Sequence, residues 1–342
     1  MRRDTDIAPE NDTEIGRAAT FAAARPDVQR GRRMPHAASE FAVIGIDFGG
    51  TKTEIALADS RGAILARERL DTRTDLGPDH ILGRTAGTVR RFEQLAREGH
   101  DLSVTEWAAV CPGIIRADGI QLTPNLPGWE TLALSARLAT EFGVPAVRVA
   151  NDVRAAALAE VRFGALRGVD TGIYVSLGTG IAAALIVGGR VIPGAHQAAG
   201  EIAYMNPGNY PVGAVAVGRA PLEELVAGRA LGERASARLG TPITSAELFH
   251  RTDAEARNLV RHTLETLATA LANLAVFVDP ARIVLGGGMM AAADHILPAL
   301  TDLIATATPY PPEIHAAHFL EDASLHGAIT LALNTESLAP TP

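Results

Sequence analysis

Two lobes of α/β construction, related to one another in design, are predicted by three features of the sequence. The run Phe41-Ala-Val-Ile-Gly-Ile-Asp47 is a short apolar segment of strand type that turns through Gly49-Gly50-Thr51 into a second such segment. The same device returns at Ile173-Tyr-Val-Ser-Leu177, with a corner at Gly178-Thr179-Gly180. Helical periodicity accounts for the long stretches between and after these copies. A strand, a Gly-Thr corner, a departing strand and a further turn, found twice, have the form of an internal repeat.

In the first copy the strand Thr53 to Ala58 leaves the corner, Asp59-Ser-Arg-Gly62 turns, and Ala63 to Arg69 makes a third strand. Asp79 to Glu98 has helical spacing in Ile81, Leu82, Val89, Phe92 and Leu95, and it precedes a strand around Trp107 to Val110. Val147-Arg-Val-Ala150 is a short strand ending at Asn151-Asp152, after which Arg154 to Phe163 reads as an Ala-rich helix. In the second copy Ala182 to Val187 leaves the corner, Gly188-Gly189 turns, and Arg190-Val-Ile192 returns. Leu222-Glu223-Glu224-Leu225 lies on a helix, and Leu264 to Val278 is an amphipathic one. Asp279-Pro280 then leads to a strand, Arg282-Ile-Val-Leu285, which enters Gly286-Gly287-Gly288 directly before a helix. The expected division is a small lobe of residues 41–150 with 324–342, a larger lobe of 151–323, and a flexible extension of 1–40. A short helix through Ile15 to Ala24 is the alternative for the extension.

With 47% hydrophobic and 20% charged residues among 342, the chain has enough apolar side chains for a full core. A net charge of -8 offers no basic face to a nucleic acid, so small molecules are the expected partners. Cys111 is the one cysteine; it cannot form an internal disulfide, and no Cys or His cluster has ligand spacing, so structural zinc is not expected. A reducing, cytoplasmic setting follows. The most apolar stretch, Gly172 to Ile192, is broken by Ser176, the second Gly-Thr corner and Gly188-Gly189, which reads as a hairpin and not a membrane helix. The first forty residues lack the continuous apolar segment of a signal peptide.

A glycine corner between strands lets the backbone come close to a phosphate, whose oxygens then take N–H groups and a Thr hydroxyl. Gly49, Gly50 and Thr51 form one such candidate cradle, and Gly178, Thr179 and Gly180 a second. Neither has the P-loop pattern, in which Lys and Ser or Thr follow the last glycine. Asp47 could hold Mg²⁺ through water or serve only the turn. Asp152, at a strand-to-helix junction, reads either as an N-cap or as a base taking a proton from an attacking hydroxyl, with the Asn151 amide fixing a second hydroxyl. Glu201 and the pair Glu223 and Glu224 supply carboxylates of the kind that read vicinal diols, at least one of the pair lying on an exposed helix face. The glycine triplet suits close approach to a nucleotide, or a tight turn.

Taken in order, Gly45-Ile-Asp-Phe-Gly-Gly-Thr-Lys-Thr53, Pro112-Gly113, Thr123-Pro-Asn-Leu-Pro-Gly-Trp129, Asn151-Asp152, Leu177-Gly-Thr-Gly180, Gly194 to Glu201 and the glycine triplet resemble the ROK family of sugar kinases and sugar-responsive repressors. The resemblance runs from Phe41 to Ala332. It implies the two-lobed actin-like ATPase (ribonuclease H-like) fold with the active site in the interlobe cleft, ATP and Mg²⁺ as cofactors, and a homodimer or larger homo-oligomer. By resemblance Asp152 is the catalytic base, and Gly113, Asn125, Asn151, Glu201 and Glu223 contact sugar. The corners, with Asp47 and Lys52 beside the first, and Gly287 and Gly288 form the nucleotide site, and the product is a hexose 6-phosphate. Where most of the family carries a histidine that contacts the sugar and ligates zinc with three cysteines, this sequence has Tyr204 and no cysteine from Met205 to Gly218. The phenol widens the expected acceptors from glucose to a kanosamine-like aminohexose or a C7 cyclitol, and polyphosphate is an alternative donor. A repressor is disfavoured, because the forty residues before the first strand have no helix-turn-helix pattern.

Overall fold

The computed structural model describes residues 40–208 and 210–333. The extension expected over residues 1–39, its alternative helix Ile15 to Ala24, and the tail 334–342 lie outside the described residues.

In the first sheet β1 (Phe41–Phe48), β2 (Lys52–Asp59) and β3 (Ile64–Asp71) form an antiparallel meander. Helix α1 (Gly77–His100) crosses to β4 (Ser103–Cys111), which lies parallel to β1. A small hairpin, β5 (Ile114–Arg116) and β6 (Gly119–Gln121), and helix α2 (Leu134–Phe142) then lead to β7 (Arg148–Asn151), parallel to β4. Helix α3 (Asp152–Phe163) carries the chain to the second sheet, where β8 (Gly172–Leu177), β9 (Ile181–Val187) and β10 (Arg190–Ile192) repeat the meander. Helices α4 (Pro221–Val226), α5 (Gly228–Leu239), α6 (Ser245–Phe249) and α7 (Ala254–Val278) precede β11 (Arg282–Gly286), parallel to β8. Helix α8 (Ala293–Ala307) leads to β12 (Glu313–Ala316), parallel to β11, and α9 (Ala323–Leu333) follows. The strand orders are β3-β2-β1-β4-β7 and β10-β9-β8-β11-β12, so the repeat read in the two glycine corners extends to the whole topology of each sheet. The fold is the two-lobed α/β arrangement of the actin-like ATPases.

Local sequence explains the layers. Strand β1, central in its sheet, is buried from Ala42 to Ile46 and so is apolar on both faces, whereas β3 alternates along the exposed edge. Helix α1 starts with Pro78 in its first turn and stops at Asp101, whose φ of 54° is left-handed. Trp129 is fully buried and meets Phe48 edge to face at 5.1 Å, closing the first lobe over the end of β1.

A second apolar cluster joins the sheets: Val43 and Val110 from one, Tyr174, Ile186 and Val284 from the other, gathered around α3 and α9. The alanines of α3 permit a very close crossing, since a Cβ added to Gly327 of α9 would lie 2.3 Å from the Ala155 carbonyl carbon. At the far end of α3, buried Glu160 accepts hydrogen bonds from the backbone N–H of Ala165 at 2.7 Å and of Phe319 at 2.8 Å. The helix that begins with Asp152 is thereby fixed along its length.

Three local readings change. Helix α7 begins at Ala254, well before Leu264, because Asp253 caps it by accepting from Ala256 N at 3.0 Å while its first turns bury few apolar side chains. The glycine triplet does not enter a helix directly: Gly287, at φ 90°, reverses the chain into a 3₁₀ turn over Gly288–Ala292 before α8. Asp152 is not the N-cap of α3; Asn151 is, its Oδ1 accepting from Arg154 N at 3.0 Å, and Asp152 is the first helical residue. Among the described residues no helix is long and apolar enough to cross a membrane.

Candidate active site

Both glycine corners lie at the ends of central strands, and each is braced by a neighbour that the sequence reading did not single out. At the first, Thr72 donates its Oγ1 to Gly49 O at 2.7 Å and its N–H to Thr51 O at 2.9 Å, and its hydroxyl also meets Thr53 Oγ1 at 3.1 Å. At the second, Gly228 N donates to Gly178 O at 2.8 Å, and Glu223 Oε2 accepts from Ile181 N at 3.2 Å. A Cβ on Gly180 would lie 2.4 Å from Glu223 Oε2, so glycine is what allows the carboxylate to stand there. Thr51 and Thr179 are both exposed at their corners, and Gly178 faces the backbone of Gly288.

Lys52 is turned toward Glu54, with Nζ 2.5 Å from Oε2. Glu54 is buried and also takes Arg67 at 2.6 Å and Arg69 at 3.2 Å, while Arg67 reaches Asp322 at the foot of α9 at 2.7 Å. Burial works against the Glu54 carboxylate, but hydrogen bonds from Lys52 and Arg67 outweigh it and hold the group down to about 2. This buried anchor organises a basic rim of Lys52 and Arg69 at the cleft.

Asp47 and Asp152 form the acidic centre. Asp152 Oδ1 accepts from Val153 N at 2.8 Å in the first turn of α3. Burial raises its proton affinity above the ordinary carboxylate range, although the backbone N–H groups of Val153 and Asp152 and the charge of Arg154 pull the other way. Asp47 is pushed up to about 8 by burial first, then by the negative charges of Asp152 and Glu54, against the pull of Lys52 and Arg67. Its protonated form therefore stabilises the fold: the contribution is complete below the unfolded value of 3.8 and is lost as the pH rises through about 8. Asp47→Asn should flatten the fall in melting temperature of the nucleotide-free protein between about pH 5 and pH 8. An unchanged slope in thermal scans would remove Asp47 from that electrostatic role.

Next to Asp152, buried Asn151 donates Nδ2 to Gly113 O at 3.1 Å, which ties the cap of α3 to the turn after β4. Asn125 is exposed and lies directly against Gly50, so the loop carrying it meets the first glycine corner. Burial raises Glu201 above its usual range, Arg154 opposes this, and Asp152 and Glu223 add to it. Tyr204 packs its ring on the second-lobe core, and its phenol is raised by burial and by the charges of Glu201 and Glu223. Gly113, Asn151, Asp152, Glu201, Tyr204 and Glu223 are thus linked by contact or by charge, and Asn125 joins through Gly50.

From Tyr204 to Gly218 the sequence has neither cysteine nor histidine, so a tetrahedral zinc finds no thiolate or imidazole ligand in it. A polar clamp holds this segment. Tyr210 Oη donates to Glu224 Oε2 at 3.1 Å, Arg219 Nε donates to Glu224 Oε1 at 2.8 Å, and the Arg219 guanidinium lies 5.2 Å above the Tyr210 ring. The Arg219 hydrogen bond, with Ala220 N and Tyr210 and against burial, holds Glu224 down to about 2. The two adjacent glutamates of α4 therefore divide their work, Glu224 fastening the segment and Glu223 facing the second corner.

Two cavities complete the picture. One of about 1100 Å³ is bordered by Gly178, Thr179, Gly228, Gly232, Ser245 and Gly288, a volume of the order that a nucleotide requires. The other, about 560 Å³, contains Asp152 with Lys52, Arg69, Ser176 and Ser324 on its walls. Gly288 borders both cavities. The spacing of Gly228 and Gly232 at the start of α5, and the capping box of Thr244 and Glu247 before α6, were the available sequence signals for the larger cavity.

The model of the ROK family matches residues 43–335. A kanosamine kinase of Amycolatopsis mediterranei is 30% identical over 84% of this chain and 95% of its own length. Among solved structures, a ROK hexokinase from Thermus thermophilus superposes with a TM-score of 0.70 at 29% identity, over 85% of this chain and 97% of that one. A ROK family glucokinase from Streptomyces griseus, solved with glucose and AMPPNP, gives 0.67 at 25% identity, over 85% and 99%. With nearly every described residue inside the family match and both lobes shared with these enzymes, the chain belongs to the ROK family.

Proposed function

We propose that this ROK family chain, an ATP-dependent sugar kinase, phosphorylates the primary hydroxyl of glucose or a glucose-like hexose to give the 6-phosphate. The observation that carries the reading is the placement of Asp152, a carboxylate with raised proton affinity inside a cavity that shares Gly288 with one of nucleotide size. Gly178, Thr179, Gly287 and Gly288 would hold the nucleotide from the second lobe, with Gly49, Gly50 and Thr51 on the phosphates from the first. Bound magnesium supplies positive charge to the phosphates, and Asp47, pressed by two neighbouring carboxylates, has the electrostatics that a water-held cation relieves.

Asp152 takes the proton from the attacking hydroxyl as that oxygen approaches the γ-phosphorus, and its raised affinity makes it a stronger base than an ordinary carboxylate. Glu201 and Glu223 accept hydrogen bonds from ring hydroxyls, while Asn151 and Asn125 orient the acceptor. Similarity to a kanosamine kinase favours one second reading, in which the acceptor is an aminohexose and the phenol of Tyr204 helps to select it. Phosphorus NMR of the product from ATP and glucose tests the proposal: a monoester coupled to the exocyclic methylene is expected, and phosphate on a ring carbon would refute the assigned position.

A further inference from the structure

Arg154, the third residue of α3, is 4% exposed, among the most buried charged side chains described. Its backbone N–H is used by the Asn151 cap. Its side chain makes one hydrogen bond, Nη1 to Gln197 O at 2.7 Å, and no ion pair among the described residues. Gln197 belongs to the loop before Glu201 and is held at φ 59°, so the guanidinium ties the acceptor-side loop to the helix of the base. The charges of Glu201 and Asp152 both act on Arg154 without contacting it as ion pairs, and burial lowers its proton affinity.

A strut to a single carbonyl needs no charge, since a neutral amide or hydroxyl would serve. Burying a guanidinium without a contacting carboxylate is costly, and most of its five N–H donors are left for another acceptor. It stands two residues after Asp152 on α3 and holds the loop that ends at Glu201. We infer that Arg154 determines acceptor specificity: its guanidinium donates to a hydroxyl or carbonyl oxygen of the sugar and excludes an ammonium group from that position. This rests on the sugar-kinase reading above, and it selects a neutral substituent at the ring position that faces Arg154.

The test uses the full chain with ATP and Mg²⁺. It compares kcat/KM for glucose with that for monoaminoglucoses carrying the amine at each ring position in turn, at a pH where the amines are protonated. The wild type should disfavour at least one amine relative to glucose, and Arg154→Met should shrink that ratio by about tenfold or more, the effect of removing one like-charge contact, with KM for ATP little changed. Arg154→Lys, which keeps the charge but loses the planar fork, should retain the discrimination while losing turnover on glucose. If the Met variant does not fold by its melting curve, Arg154→Gln replaces it. A ratio that is the same in the wild type and the neutral variant, or a wild type indifferent to every amine, overturns the assignment and leaves Arg154 as a loop strut. A wild type that phosphorylates no hexose overturns the kinase reading itself, and this inference with it.

Discussion

Asp152→Asn lowers kcat by about 10²-fold or more, with KM for ATP within about twofold of the wild type. The amide is nearly isosteric, so the first turn of α3 and the Asn151 cap that ties it to Gly113 persist. What is lost is the capacity to accept a proton. Burial keeps Asp152 above the ordinary carboxylate range, so wild-type turnover should fall on acidification at a higher pH than a solvent-exposed aspartate would give. The Asn variant should lose that limb of the pH profile. Steady-state kinetics across pH check both statements, and near-normal turnover in the variant removes Asp152 from the chemistry.

The second large effect is on stability. Gly327→Ala places a methyl group 2.3 Å from the Ala155 carbonyl carbon and 2.7 Å from Ala156 N, atoms of the α3 backbone that cannot rotate aside. Helix must then move from helix inside the apolar cluster that joins the two sheets. A loss of about 3 kcal/mol is expected, at the upper end of overpacking penalties, read as a lower denaturant midpoint at unchanged m-value. Because Asp152 is the first residue of α3, surviving molecules should also turn over more slowly. A variant as stable as the wild type would mean that α9 is not the fixed partner of α3.

Much of this was legible in the sequence because backbone requirements leave marks. The glycine corners, the apolar central strands and the Asn151-Asp152 junction are dictated by close approach, two-faced burial and capping, each of which restricts residue type. The two corners and their departing strands marked two lobes of related design, and the matching order of all five strands in each sheet came from the structure. Other features were hidden because they depend on partners distant in the chain. Thr72 looks like any loop threonine until it is seen bracing Gly49 and Thr51. Arg154 sits in an Ala-rich helix whose pattern gives no hint that a guanidinium is buried two residues from Asp152. Glu223 and Glu224 are adjacent and chemically identical; only Arg219 and Tyr210 on one side and Gly180 on the other distinguish them. Lys52 read as part of the nucleotide site beside its corner; it meets Glu54, two residues on along the same face of β2, and what fixes Glu54 there is Arg67 and Arg69 from β3.

Whether the chain transfers phosphate to a sugar is measured as ADP release by the purified protein with ATP and Mg²⁺ against glucose, mannose, N-acetylmannosamine, aminoglucoses and cyclitols, with Asp152→Asn as control. Acceptor-dependent ADP release is expected, strongest on glucose or a close neutral analogue and lower by about 10²-fold or more in the control. ADP release that is independent of every acceptor, or equal in the Asp152→Asn variant, would contradict that expectation.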